Sequence, residues 1–142
     1  MAEQFDLAEE MTDADEAGPG TVLVLNEQGA LTVCTRSYDS RVAGVVSGAG
    51  DRKPALILDR RDPDASGSGA QRRAVAVMGK VWCRADATTQ PIQVGNLLTT
   101  SSIPGHTMAA NDRDAAFGAV LGKALTPLAS GTGMVLALVG LG

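Results

Sequence analysis

Aromatic side chains are scarce in this chain: Phe5, Tyr38, Trp82 and Phe117 are the only four in 142 residues. The core must therefore be built from Val, Leu, Ala and Ile. Histidine is scarcer still, with His106 alone in the turn-like Pro104-Gly105-His106-Thr107. With one His and two well-separated cysteines, Cys34 and Cys83, a tetrahedral zinc site would have to recruit distant carboxylates, so neither metal nor cofactor is predicted. Two cysteines do not make a disulfide framework, and they predict buried free thiols in a reducing compartment, with a single Cys34–Cys83 bridge as the alternative if their strands are adjacent. CxxC, HExxH, GxSxG and Walker patterns are all missing. No segment reaches the roughly 20 apolar residues that span a bilayer, and the apolar run 134–141 reads as a buried strand. The N-terminus has no basic region followed by an apolar run, which predicts cytoplasmic synthesis without a signal peptide.

What is present is unevenly spread. Residues 1–17 hold seven acids and no base, so that the remainder carries 9 acids against 12 bases. The first stretch reads as a short acidic N-terminal arm in which Phe5, Leu7, Ala8 and Met11, near helical spacing, allow a short helix or a docked arm. The body, residues 18–142, is too weakly basic to argue for nucleic acid. Its length suffices for one domain with a real core.

Two stretches of that body share a pattern. Gly20 and Gly95 each open a short apolar strand, and a Gly-containing turn follows at Gln28-Gly29 or Pro104-Gly105. Polar segments come next, Tyr38-Asp39-Ser40-Arg41 and Asn111-Asp112-Arg113-Asp114. Each stretch closes on a small-residue apolar strand, 42–46 or 117–121. Gly20 and Gly95 lie 75 residues apart and Gly44 and Gly118 lie 74 apart, which predicts a duplicated β unit over about 20–59 and 95–141.

Gly18-Pro19-Gly20 marks a hard boundary. Residues 21–26 and 30–35 predict a hairpin, with its first strand apolar on both faces, and 42–47 and 55–59 predict further strands. Residues 60–73, with Pro, Ser, Gly and paired arginines, predict a mobile loop. Residues 74–85 predict one long strand with a bulge or bend at Gly79. Its alternation puts Val75, Val77, Val81 and Cys83 on one face and Met78, Lys80, Trp82 and Arg84 on the other. One helical turn is predicted at 112–116 and a closing strand at 134–141.

One further pattern runs through Cys83-Arg84-Ala85-Asp86, Pro91-Ile92-Gln93-Val94-Gly95-Asn96-Leu97-Leu98-Thr99-Thr100-Ser101, Pro104-Gly105-His106, Phe117-Gly118-Ala119-Val120-Leu121-Gly122-Lys123-Ala124-Leu125 and Gly131-Thr132-Gly133-Met134-Val135. It resembles a bacterial β-rich family found at the ends of phage-tail-fibre-like and surface proteins. The earlier segment, from Asp6-Leu7-Ala8-Glu9-Glu10 to Tyr38-Asp39-Ser40-Arg41-Val42-Ala43-Gly44-Val45-Val46-Ser47, resembles the C-terminal assembly domain of phage neck-appendage and tail-spike proteins. That domain is an intramolecular chaperone that trimerises and cleaves itself off. Gly95-Asn96-Leu97-Leu98-Thr99-Thr100 is also similar to small trimeric capsid-decoration proteins. The resemblance implies a trimeric assembly or capping module, with other phage-like structural proteins as partners and a place in a particle released from the cell.

The expectation is an all-β domain in which duplicated hairpin-plus-strand units form a small barrel or sandwich. Its expected role is a non-enzymatic structural protein that self-associates as a homotrimer, without nucleic acid or membrane. Val22, Val24, Val45, Val77, Val81, Leu136 and Leu138 would form its core and interface. One alternative is a ligand- or glycan-binding module centred on Trp82 with Lys80 and Arg84. Another is self-cleavage through Ser47 or Ser101, for which no activating base is evident in the sequence.

Overall fold

The computed structural model describes residues 2–6, 18–48 and 72–140. They form an all-β molecule of two sheets. The first has five antiparallel strands, β1 (Ala2–Asp6), β2 (Val22–Leu25), β3 (Leu31–Val33), β4 (Val42–Val46) and β5 (Arg72–Ala76), in the order β1-β5-β4-β2-β3. The second is a closed barrel of β6 (Gly79–Ala87), β7 (Leu97–Thr100), β8 (Thr107–Ala109), β9 (Gly122–Ala124) and β10 (Gly131–Val139), in the order β10-β6-β8-β7-β9. A single helical turn, α1 (Arg113–Ala116), precedes β9. No helix among the described residues is long and apolar enough to cross a membrane.

Read from β6, the barrel order is β6-β10-β9-β7-β8, the order of the first sheet with five added to each strand number. The partnerships correspond: β2 lies between β3 and β4 as β7 lies between β8 and β9, and each fifth strand joins its fourth strand to its first. The barrel differs in being closed, by a parallel pairing of β6 and β8 at Ala85 and Thr107. All its other pairings are antiparallel.

The register of the two units differs from the sequence pattern. Residues 117–121 are not a strand: Phe117 caps α1, Gly118 turns the chain at φ 80°, and the strand starts at Gly122. Gly122, not Gly118, holds the place of Gly44. A Cβ on Gly44 would stand 2.8 Å from the Ala76 carbonyl oxygen, and one on Gly122 would strike the carbonyl of Leu138. Both glycines let the neighbouring strand approach closely.

The predicted single strand over 74–85 is two strands in different sheets. The chain bends at Val77 and Met78, and Gly79 takes φ 99°, which a side chain tolerates poorly. Val75 and Val77 therefore pack with Leu23, Leu31 and Val46, whereas Val81 and Cys83 enter the barrel core. Arg72 and Arg73 begin β5 instead of ending a loop. Residues 2–6 are a strand paired with β5, not a helix, while 7–17, the strand expected over 55–59 and the loop over 60–71 lie outside the described residues.

The main core is shared by both sheets. Val22, Val24, Cys34, Val45 and Ala76 from the first pack with Val81, Cys83, Ala85, Ile92, Leu98 and Val135 from the second. Alanines complete the barrel interior, including Ala109, Ala124 and Ala137, all fully buried. A five-stranded barrel has little room inside, which fits a sequence so poor in aromatics. β2 is buried on both faces, since Val22 and Val24 face this core and Leu23 a second cluster. Backbone bonds join the units: Val22 N–H donates to Gly105 O (2.9 Å), Gly105 N–H to Cys34 O (2.9 Å) and Arg84 N–H to Gly20 O (2.9 Å).

Candidate functional site

Two features stand out against this scaffold: a buried polar seam where the units meet, and an apolar surface beside α1. The seam arises because β7 runs into a row of hydroxyls, Thr99, Thr100 and Ser101, all fully buried together with Thr107 of β8. Buried hydroxyls need partners, and each has one. Thr99 Oγ1 donates to Ala119 O (2.6 Å), Thr107 Oγ1 to Thr99 O (2.6 Å) and Thr100 Oγ1 to Arg36 O (2.7 Å). Ser101 Oγ donates to Asp86 Oδ2 (2.6 Å) and accepts from Ile103 N–H (2.9 Å). The other oxygen of Asp86 accepts from Thr88 N–H (2.9 Å) and Thr88 Oγ1 (2.6 Å).

The charge state of Asp86 follows from these contacts. Burial acts to raise its pKa, but the hydrogen bonds from Ser101 and Thr88 and the nearby His106 outweigh it and hold the carboxyl below its usual value of 3.8. His106 is half-buried, with Nδ1 2.8 Å from the Pro104 carbonyl, so Nδ1 carries the proton in that contact. A nucleophilic hydroxyl needs a base to take its proton. The proton of Ser101 points at a carboxylate whose lowered pKa makes it a weak base, and its oxygen already accepts a backbone N–H. That arrangement anchors the turn from β7 to β8. Ser47, the other hydroxyl considered, is half-buried, and its backbone N–H donates to Ala74 O (2.8 Å).

Cys34 and Cys83 are free and buried. Burial pushes the Cys34 thiol up and takes Cys83 to about 12, so both are protonated at neutral pH. Among the described residues no group of three or more His, Cys, Asp or Glu is placed to hold a metal ion.

The apolar surface is built by the α1 turn. The Asp112 side chain accepts from Ala115 N–H (3.1 Å) and starts the helix, and Phe117 N–H closes it on Asp114 O (3.3 Å). Asp112 N–H also donates to the Tyr38 hydroxyl (3.0 Å), which ties α1 to the first unit. Ala116 and Ala119 turn inward and are buried, so the intervening Phe117-Gly118 turn projects outward. Phe117 is 89% exposed. Its ring, with Leu97, Ala110, Ala116 and Val120, lines a groove of about 390 Å³ whose polar lining is Asn111 and Arg113.

No family model, curated protein or solved structure matches this chain. Its chemistry must be read from its own side chains.

Of the residues expected to form core and interface, Val22, Val24, Val45 and Val81 lie in the shared core. Val77 is half-buried against the second cluster. Leu136 and Leu138 are half-buried on the outer face of β10, in register with Trp82 and Lys80. Trp82 is partly exposed on that face, between exposed Lys80 and half-buried Arg84. The structure brings Lys80, Trp82 and Arg84 to one side of β6, at a distance in sequence and strand order from the Phe117 groove. Sequence reasoning missed the groove because Phe117 looked like a strand residue. The usable signal was Asp112, an N-cap residue five positions earlier, followed by Gly118.

Proposed function

We propose that this chain is a non-enzymatic structural module that self-associates as a homotrimer within a phage-like or surface assembly. The exposure of Phe117 carries the reading. An apolar side chain of this size gains about 1.5–3 kcal/mol on leaving water, yet here one of only four aromatics in the chain is held out in solvent by a capped turn. It is not isolated: Leu97, 42% exposed, lines the same groove. Grouped exposed apolar side chains mark interaction surfaces more often than single ones do. The exposed outer face of β6 and β10, with Trp82 and Met134, offers a further area for contact.

Light scattering coupled to size-exclusion chromatography tests the reading. The expected mass at micromolar concentration is three times the 14.5 kDa of the chain. A lone 14.5 kDa species across the accessible concentration range overturns it.

A further inference from the structure

We propose that Tyr38 is a strained clasp through which the first unit holds the Phe117 turn of the second in its exposed position, and whose release frees that turn without unfolding the molecule. Among the described residues Tyr38 is the only one other than glycine with a positive φ, at 54°. A bulky side chain is a genuine outlier there. Such outliers persist where the surroundings over-determine them, and they cluster where the strain is used. Glycine takes this backbone freely, so the presence of a tyrosine directs attention to what its side chain holds.

The loop from β3 to β4 is buckled onto the barrel. Tyr38 N–H donates to Thr100 O (3.2 Å), Asp39 N–H to Thr100 Oγ1 (2.8 Å), and Thr100 Oγ1 to Arg36 O (2.7 Å). Arg41 N–H closes the loop on Asp39 Oδ1 (2.9 Å). From that base the Tyr38 hydroxyl accepts the N–H of Asp112 (3.0 Å), the residue whose side chain starts α1. A helix of four residues does not persist by itself. α1 depends on its cap, on the inward Ala116 and Ala119, and on this hydroxyl from the other unit. On either side of Asp112, Asn111 and Arg113 line the groove with Phe117. Among the described residues no strand pairing of either sheet includes 111–120. Opening of the clasp therefore moves the groove lining and Phe117 while both sheets stay paired, as a local opening. Its effect on assembly rests on the self-association proposed above, whereas its hold on the turn does not.

Amide hydrogen exchange on the full chain tests it, with Tyr38→Phe to remove the hydroxyl alone and Tyr38→Gly to relieve the backbone as well. In both variants the amides of Ala116 and Ala119, bonded to Asp112 O and Ala116 O, are expected to exchange several-fold to about tenfold faster, the effect of one lost hydrogen bond. Their rates should depend little on dilute urea, because a local opening exposes little surface. The Val46 amide, bonded to Thr21 O, should keep the steep urea dependence of global unfolding. Unchanged protection at Ala116 and Ala119, or a urea dependence as steep as that of Val46, overturns the clasp. Sedimentation velocity on the same variants reads the assembly, which is expected to weaken several-fold. A loosened turn with undiminished association overturns the link to assembly and leaves the clasp standing. A wild type that stays monomeric overturns self-association and that link together, and the exchange rates then decide the clasp alone.

Discussion

Asp86 is a buried carboxylate held ionised chiefly by hydrogen-bond donors. Ser101 and Thr88 supply three of them at 2.6–2.9 Å. The consequence is a defined pH dependence. Its folded pKa lies below the usual 3.8, so the unfolded chain binds the proton more readily. The stability Asp86 contributes is then complete above about pH 5 and is lost as pH falls through 3.8 and below. Asp86→Asn should lower the urea midpoint at pH 7 and lose less on acidification than the wild type does. Parallel acid profiles for the two proteins would show that Asp86 is not the residue involved. Little of this seam was legible beforehand. The run Thr99-Thr100-Ser101 shows its hydroxyls in the sequence, but not their burial, and Asp86 lies 15 residues before Ser101 with nothing local to join them. Such partnerships are made by strand pairing across the barrel, which spacing along the chain does not encode.

At the scale of elements, the alternation of apolar residues found most strands but misjudged where they break. Over 74–85 the alternation continues unbroken while the chain passes from one sheet to another. Period-two patterning reports which residues face a core, not which core. The offset of 75 residues between Gly20 and Gly95 likewise carried on to Gly118, although α1 and its turn move the strand to Gly122. Gly44 and Gly122 therefore lie 78 residues apart, and their shared environment makes a prediction. An added methyl at Gly122 meets the backbone of Leu138 and Val139, which cannot yield as a side chain can. Gly122→Ala should cost at least the ~1–3 kcal/mol typical of overpacking. Gly29→Ala, at φ 85° with no atom within 4 Å, carries only the backbone strain of about 1–2 kcal/mol. Urea titration of both variants checks the ranking, and an equal or smaller loss for Gly122→Ala would mean that β9 and β10 can move apart cheaply.

For the molecule as a whole, fold class was readable because apolar content, scarce aromatics and frequent turns all pointed to short strands around a small-residue core. The sharing of that core was not readable, since residues from 22 to 139 meet in one cluster. Sharing has a thermodynamic consequence. The barrel is closed by its own backbone pairings, yet Val22, Cys34 and Val45 of the first unit pack with its Val135 and Leu98. Gly20 and Cys34 also accept backbone hydrogen bonds from Arg84 and Gly105. Removing the first unit exposes that apolar surface at about 25 cal/mol per Å² and exchanges those hydrogen bonds for bonds to water. Native domains are stable by only about 5–15 kcal/mol, so the loss is comparable with the whole stability of the barrel. A fragment of residues 79–142 should therefore show no cooperative thermal transition, whereas the full chain melts in one step in calorimetry. A fragment that melts sharply with well-dispersed amide resonances would show instead that the closed barrel folds alone and that the first sheet is an attachment to it.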